Sequence, residues 1–113
     1  MLVIDPHIGR SRSKAARRCM FAAAQICEVD ATDVASQMRT PEVFAARAII
    51  AWIMVRAFSW SLPRTGLYLS RHHTTVLHSV RYVDAAIAKS TSLRGQLEAT
   101  IDLMVAHSRE IQR

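Results

Sequence analysis

Apolar positions along the chain recur at steps of three and four residues. In "RHHTTVLHSVRYV", Arg71–Val83, and just beyond it, Val76, Val80, Val83 and Ile87 follow at intervals of 4, 3 and 4, the stripe of an amphipathic helix. Ala16, Met20, Ala23, Ala24 and Cys27 mark a comparable face between Ser13 and Glu28. Leu93, Leu97, Ile101, Met104 and Val105 are expected to face inward on a last helix that reaches Glu110. The run "AIIAWIMV", Ala48–Val55, is apolar on every face and closed by Arg47 and Arg56, which marks a buried central helix. It is too short to span a bilayer. No alternating pattern of useful length suggests a strand.

Local signals set the boundaries. Thr40 is a helix N-cap, Pro41 suits the first helical position and Glu42 meets the positive helix end, so a helix should run from there to Phe58. Ser61 caps a short helix that tolerates Pro63 in its first turn, and Gly66 permits a bend or close approach. The Val76 helix starts after Ser70 and lasts to Lys89, where Ser90 to Ser92 break the chain and cap the final helix. Asp30 or Thr32 caps a further short helix through "DVASQM". Residues 1–13, with Pro6 and Gly9 as breakers, are expected to be a flexible basic arm holding Arg10 and Arg12. Residues 14–113 are then one all-α domain of about six helices.

Composition changes this picture in two ways. The formal charge is +6, and 13 of the 15 basic residues are Arg. Arg suits bidentate contacts to phosphate or guanine, although a basic surface alone also fits anionic lipid. The N-terminus lacks the uninterrupted apolar stretch of a signal peptide, which predicts a cytoplasmic protein with no membrane association. Cys19 and Cys27 are then expected as reduced thiols in packing roles.

The order of elements carries the functional signal. A nearly all-apolar helix is followed by a short helix, a tight turn, and a helix whose first turn is polar. That is the order of a helix-turn-helix, whose second helix presents its N-terminal side chains to the major groove. Many helical bundles contain such a pair, but the charge sharpens it. Between Arg39 and Val83 six Arg and three His face a single acid, Glu42, where a solvated face normally mixes signs.

Arg47 ahead of "SLPRTG", followed by "RHHTTVLH", resembles the C-terminal DNA-binding domain (domain IV) of the bacterial replication initiator DnaA. That family runs from an Arg through an apolar helix to "SLPEIG" and then "GRDHTTVLHA". The resemblance extends from about residue 20 to about residue 105. It implies a TrpR-like helix-turn-helix domain that binds double-stranded DNA. It further implies base contacts from His72, His73, Thr74 and Thr75, with the threonine methyls suited to thymine methyl groups. Arg47, Arg71 and His78 would hold phosphates and Arg39 would enter the minor groove. Arg81 would touch the backbone or pair with Asp84, and Arg64 is one further candidate for a phosphate.

The departures are as informative. His72 stands where the family has an acid, Arg64 replaces the Glu of "SLPEIG", and the turn from Gly66 to Arg71 is one residue shorter. The DNA site is therefore expected to differ from the standard initiator box. The glycines are Gly9, Gly66 and Gly95, so "GxxxxGK[ST]" is absent and no nucleotide is expected. No cofactor or metal is expected either, since His72 and His73 diverge by about 100° on a helix and no acid or Cys lies at ligand spacing. Nothing suggests an enzyme. Trp52 and Trp60 suit core and hinge packing, Tyr68 and Tyr82 stay open, and Arg10, Arg12, Arg17 and Arg18 suit either a solvated tail or a DNA-gripping arm.

The resulting expectation is a transcription regulator, an activator working with a partner protein and RNA polymerase, as in phage-derived regulators and activators of gene transfer agents. The alternatives are a replication-origin regulator that binds initiator-like sites, a helical adaptor without DNA binding, and a chromatin-type binder without sequence preference.

Overall fold

The computed structural model describes residues 6–89 and 91–111, with side chains from Lys14 to His107. Among the described residues the chain forms six α-helices and no strand: α1 (Pro6–Cys27), α2 (Ala31–Val34), α3 (Pro41–Trp52), α4 (Leu62–Leu69), α5 (His73–Lys89) and α6 (Ser92–Ile111). A π-helical turn, Ile53–Ala57, extends α3. The all-α expectation holds.

α3 is the central pillar because its sequence is apolar all round. Ile49, Ile50, Ile53 and Met54 are fully buried along α3 and its π turn, and each such side chain contributes about 1.5–3 kcal/mol by leaving water. α1 lies against α3 and α6, and α5 lies against α3 and α4. α1 supplies small side chains, Ala16, Cys19, Ala23 and Cys27, while α5 supplies Val76, Val80 and Val83. Both cysteines are free and buried. Burial pushes the Cys19 thiol up to about 12 and raises Cys27 as well, so neither is a ready nucleophile.

The caps fall where the sequence places them. Thr40 Oγ1 accepts from the Val43 N–H at 3.2 Å, and Ser61 Oγ accepts from the Arg64 N–H at 3.2 Å. α3 and its π turn together reach Ala57, close to the expected end at Phe58.

Three expectations need correction. α1 begins at Pro6 rather than near Ser13. Proline is well suited to a first helical turn, and an interior glycine costs only about 1 kcal/mol. Residues 1–5 of the expected arm, and the side chains of Arg10 and Arg12, lie outside the described residues. α2 is a single turn, Ala31–Val34, instead of a helix through "DVASQM". Asp30 flanks it without a side-chain cap bond, and Ser36 Oγ turns back to the Asp33 carbonyl at 2.6 Å, which closes a turn there. On α6, Leu93, Leu97 and Thr100 are buried and Met104 packs on the core, whereas Ile101 and Val105 are 37% and 46% exposed. The true stripe passes through Thr100, whose hydroxyl donates to the Gln96 carbonyl at 2.8 Å and so enters the core without an unpaired polar group.

Candidate nucleic-acid interface

The helix-turn-helix is α4, a three-residue turn and α5. Its turn is a Schellman closure. The Arg71 N–H donates to the Gly66 carbonyl at 2.8 Å, the Ser70 N–H donates to the Leu67 carbonyl at 3.4 Å, and Ser70 sits at φ 55°, ψ 45°. Ser70 occupies the left-handed position that usually takes glycine. Gly66 faces the returning backbone so closely that a Cβ there would collide with the Arg71 carbonyl oxygen. Close approach, and not a turn of its own, is what this glycine provides.

α5 then starts with an unusual cap. His72 is the N-cap residue. Its carbonyl accepts from the Val76 N–H at 3.2 Å, and its ring Nδ1 accepts from the Thr74 N–H at 3.2 Å. The His72 and His73 rings lie 4.2 Å apart at 33°. His72, His73, Thr74, Thr75 and His78 are exposed, while Val76, Ser79, Val80 and Val83 are buried. The polar first turn of α5 is therefore presented outward on a helix anchored by valines.

Beside it lies a cleft of about 560 Å3 lined by Gln37, Arg39, Pro41, Phe44, Arg47, Arg71 and Thr75. Four of the expected site residues, Arg39, Arg47, Arg71 and Thr75, converge there. Burial lowers the Arg47 guanidinium below its ordinary value, and the charges of Arg71 and Arg39 push the same way. The cleft is thus a concentration of positive charge without a lining carboxylate.

Arg47 is anchored within the fold. It is 7% exposed, with Nε donating to the Val34 carbonyl at 2.8 Å and Nη2 to the Met38 and Ser36 carbonyls at 3.0 and 3.3 Å. Its Nε and Nη2 are turned to Val34 at the end of α2 and to the segment that follows, a bracing role the sequence did not suggest. Arg71 Nη2 donates to the same Ser36 carbonyl at 2.5 Å, and its Nη1 donates to the Ser70 carbonyl at 2.9 Å. Arg71 therefore ties the helix-turn-helix turn to the segment that carries Arg39.

The remaining cations are placed differently. Arg64 lies 3.9 Å over the Trp60 ring, a cation–π contact, and Trp60 packs edge-on to Tyr68 at 5.8 Å. Arg81 is exposed. Asp84 is engaged elsewhere, by Arg56 Nη2 at 2.6 Å and Trp52 Nε1 at 2.8 Å, so the alternative of an Arg81–Asp84 pair falls away. Arg17 and Arg18 line a second cleft with Lys14, Phe21 and His107, between α1 and α6. Sequence reasoning did not single out Phe44, which is 43% exposed, lines the arginine cleft and meets Tyr82 edge-on at 5.3 Å. Its one signal is that it falls off the buried Val43–Ala46–Arg47–Ile50 face of α3.

The family model for the bacterial DnaA protein helix-turn-helix matches residues 17–83. The chain belongs to that family. Those residues include the Schellman turn, the α5 cap and the three-arginine cleft; the DnaA-type domain is a DNA-binding one, and double-stranded DNA is its ligand. The chain is 36% identical over 72 residues to the chromosomal replication initiator protein DnaA of Bradyrhizobium sp., covering 63% of this chain and 15% of that protein. It is 35% identical over 71 residues to the DnaA proteins of Nitrobacter hamburgensis and Rhodopseudomonas palustris, covering 62% of this chain and 15% of each. The match thus spans about a seventh of the length of these relatives, and α6 lies beyond the residues matched by the family model. Among the described residues no helix is long and apolar enough to cross a membrane.

Proposed function

We propose that this domain recognises one specific duplex sequence and regulates transcription from it, in the cytoplasm and on the nucleoid, together with a partner protein and RNA polymerase. The observation that carries the DNA-reading part is the meeting of Arg39 and Arg71 with the exposed first turn of α5 in one acid-free cleft. In this reading His72, His73, Thr74 and Thr75 approach base edges in the major groove. Arg39 enters the neighbouring minor groove. Arg71, His78, Arg81 and Arg64 hold phosphates, while Arg47 keeps the wall of the cleft in place from behind. The regulatory part is supported by the departures at His72 and Arg64, which alter the reading surface relative to an initiator. Occupation of initiator-like origin sites is the competing role.

Binding to a selected duplex at a series of salt concentrations tests the first part. About four to six phosphate contacts give a log–log slope of about −3.6 to −5.4; a slope near zero would reject the proposal. Genome-wide mapping of bound sites, with transcript levels measured after depletion, tests the second. Sites upstream of transcripts that change support regulation, whereas sites confined to the origin support the competing role. Purified transcription assays test the partner: full activation by this chain with polymerase and DNA alone would remove the need for one.

A further inference from the structure

The structure assigns to His72 a fixed polarity toward a base edge: it donates a hydrogen bond there and cannot accept one. The inference rests on the proposed reading of DNA by the first turn of α5 and specifies what residue 72 reads.

His72 is the N-cap of α5, with Nδ1 accepting from the Thr74 N–H at 3.2 Å. An N–H at that position in a helix has no partner within the helix, so a side-chain acceptor is what the first turn needs. A ring nitrogen that accepts carries no proton. The single proton of the neutral imidazole therefore resides on Nε2, and the imidazole is exposed. The cap thus selects the tautomer, and the tautomer selects the chemistry of the outer edge. The His73 ring, 4.2 Å away by centroid, restricts the directions open to His72.

In the major groove a lone donor meets acceptors at guanine N7 and O6, adenine N7 or thymine O4, and it meets another donor at cytosine N4. Guanine offers two neighbouring acceptors with no donor beside them. The base read by His72 is therefore guanine first and cytosine last. Aspartate at the same cap position would invert the outcome. One carboxylate oxygen would take the Thr74 N–H, and the other would face the base as an acceptor suited to cytosine N4. Asparagine would cap with its carbonyl oxygen and leave an NH2 donor, which retains the polarity of the histidine.

Those two substitutions preserve the cap while differing in polarity, and so they separate reading from helix stability. Selection from a randomised duplex library with the 113-residue chain, His72→Asn and His72→Asp tests the inference. The expected result is one position at which wild type and His72→Asn take guanine over cytosine by about tenfold, and at which His72→Asp takes cytosine. Identical base preferences for wild type and His72→Asp at every position would overturn the assignment. Nitrogen-resolved NMR of the DNA-free chain gives a second reading: a proton on Nε2 and none on Nδ1 is expected, and the reverse would overturn it. A wild-type chain that selects no duplex at all, with the Nε2–H tautomer present, would refute the DNA-reading function and with it this assignment. The tautomer measurement therefore tells the two failures apart.

Discussion

Arg47 and Arg71 donate to one and the same acceptor, the Ser36 carbonyl, at 3.3 and 2.5 Å. Two guanidinium groups on one oxygen repel each other, and they are held because each is also fixed elsewhere. Arg47 is bound to the Val34 and Met38 carbonyls, and Arg71 to that of Ser70. The pair joins three segments: the buried pillar α3, the strand-less stretch before it, and the turn of the helix-turn-helix. The cleft is therefore pre-formed by its own cations, which lowers the ordering cost of binding an anionic backbone.

Arg47→Ala should cost about 2–3 kcal/mol of folding stability, since hydrogen bonds from a charged group contribute about 1.5–3 kcal/mol and their carbonyl acceptors are left to water. DNA affinity should fall for all sequences alike as the Arg39 segment loosens. Arg47→Lys should recover the charge but not the geometry, because one ammonium cannot replace a planar fork that spans three carbonyls. Thermal unfolding and binding to cognate and random duplexes check this. Full rescue by Lys in both assays would show that charge alone is needed at this position.

Gly66→Ala should be destabilising by about 1–3 kcal/mol through overpacking. The atom in the way is the Arg71 carbonyl oxygen, which belongs to backbone and cannot swing aside. Relief requires α5 to move away from α4, so specific DNA binding should fall further than helix content. Circular dichroism alongside a binding assay checks the order. Equal stability with unchanged specificity would mean that the turn has slack.

Much of this architecture was legible because its signals are local. Thr40–Pro41 and Ser61–Pro63 announce two helix starts by cap chemistry, and the α5 valines announce their face by spacing. The features that sequence reasoning missed depend on distant partners. Nothing around Arg47 reveals that Val34, Ser36 and Met38 present carbonyls to it, because backbone acceptors have no sequence signature. Ser70 in a left-handed cap position hides a Schellman turn that a glycine would have advertised. Ile101 and Val105 look like core by composition, yet Thr100 takes the buried place since its hydroxyl folds back on its own helix. For the candidate site, the α5 residues were read from a motif, whereas Phe44 entered the cleft only through the packing of α3 on α5.

Asp84 links the π turn to α5 and should give the fold an acid-sensitive contact. The hydrogen bond from Arg56 is the main influence that holds its carboxyl below the ordinary value of 3.8; burial opposes it and Trp52 assists. A depressed native value means that the contact stabilises fully above the unfolded carboxylate range and is lost as pH falls through the lower native value. Both side chains of the ion pair are 40–49% exposed, so the effect should be small and reduced by salt. Asp84→Asn keeps an acceptor for Trp52 but has no charge to titrate. Its melting temperature should therefore fall less steeply than that of wild type as the pH drops below 3.8. Parallel acid profiles for the two proteins would exclude the coupling.

Thr75 stands where the first turn of α5 meets the arginine cleft, and in the proposed function its two functional groups make different demands on DNA. If its methyl meets a thymine methyl, Thr75→Val should retain the preference for thymine at that position, and Thr75→Ser should lose it. If the hydroxyl instead bonds a base edge, the order reverses. Either loss should amount to about 1–3 kcal/mol on the selected site. Neither substitution alters the number of phosphates neutralised, so the salt slope should stay constant while preference changes. Arg39→Ala provides the contrast: a cation is removed, so the slope should become shallower by roughly one unit if Arg39 displaces a counterion from the duplex. Measuring salt slope and base preference for Thr75→Val, Thr75→Ser and Arg39→Ala checks both roles. A threonine variant that alters only the slope, or an Arg39 variant that leaves it unchanged, would exchange or dissolve the assignments.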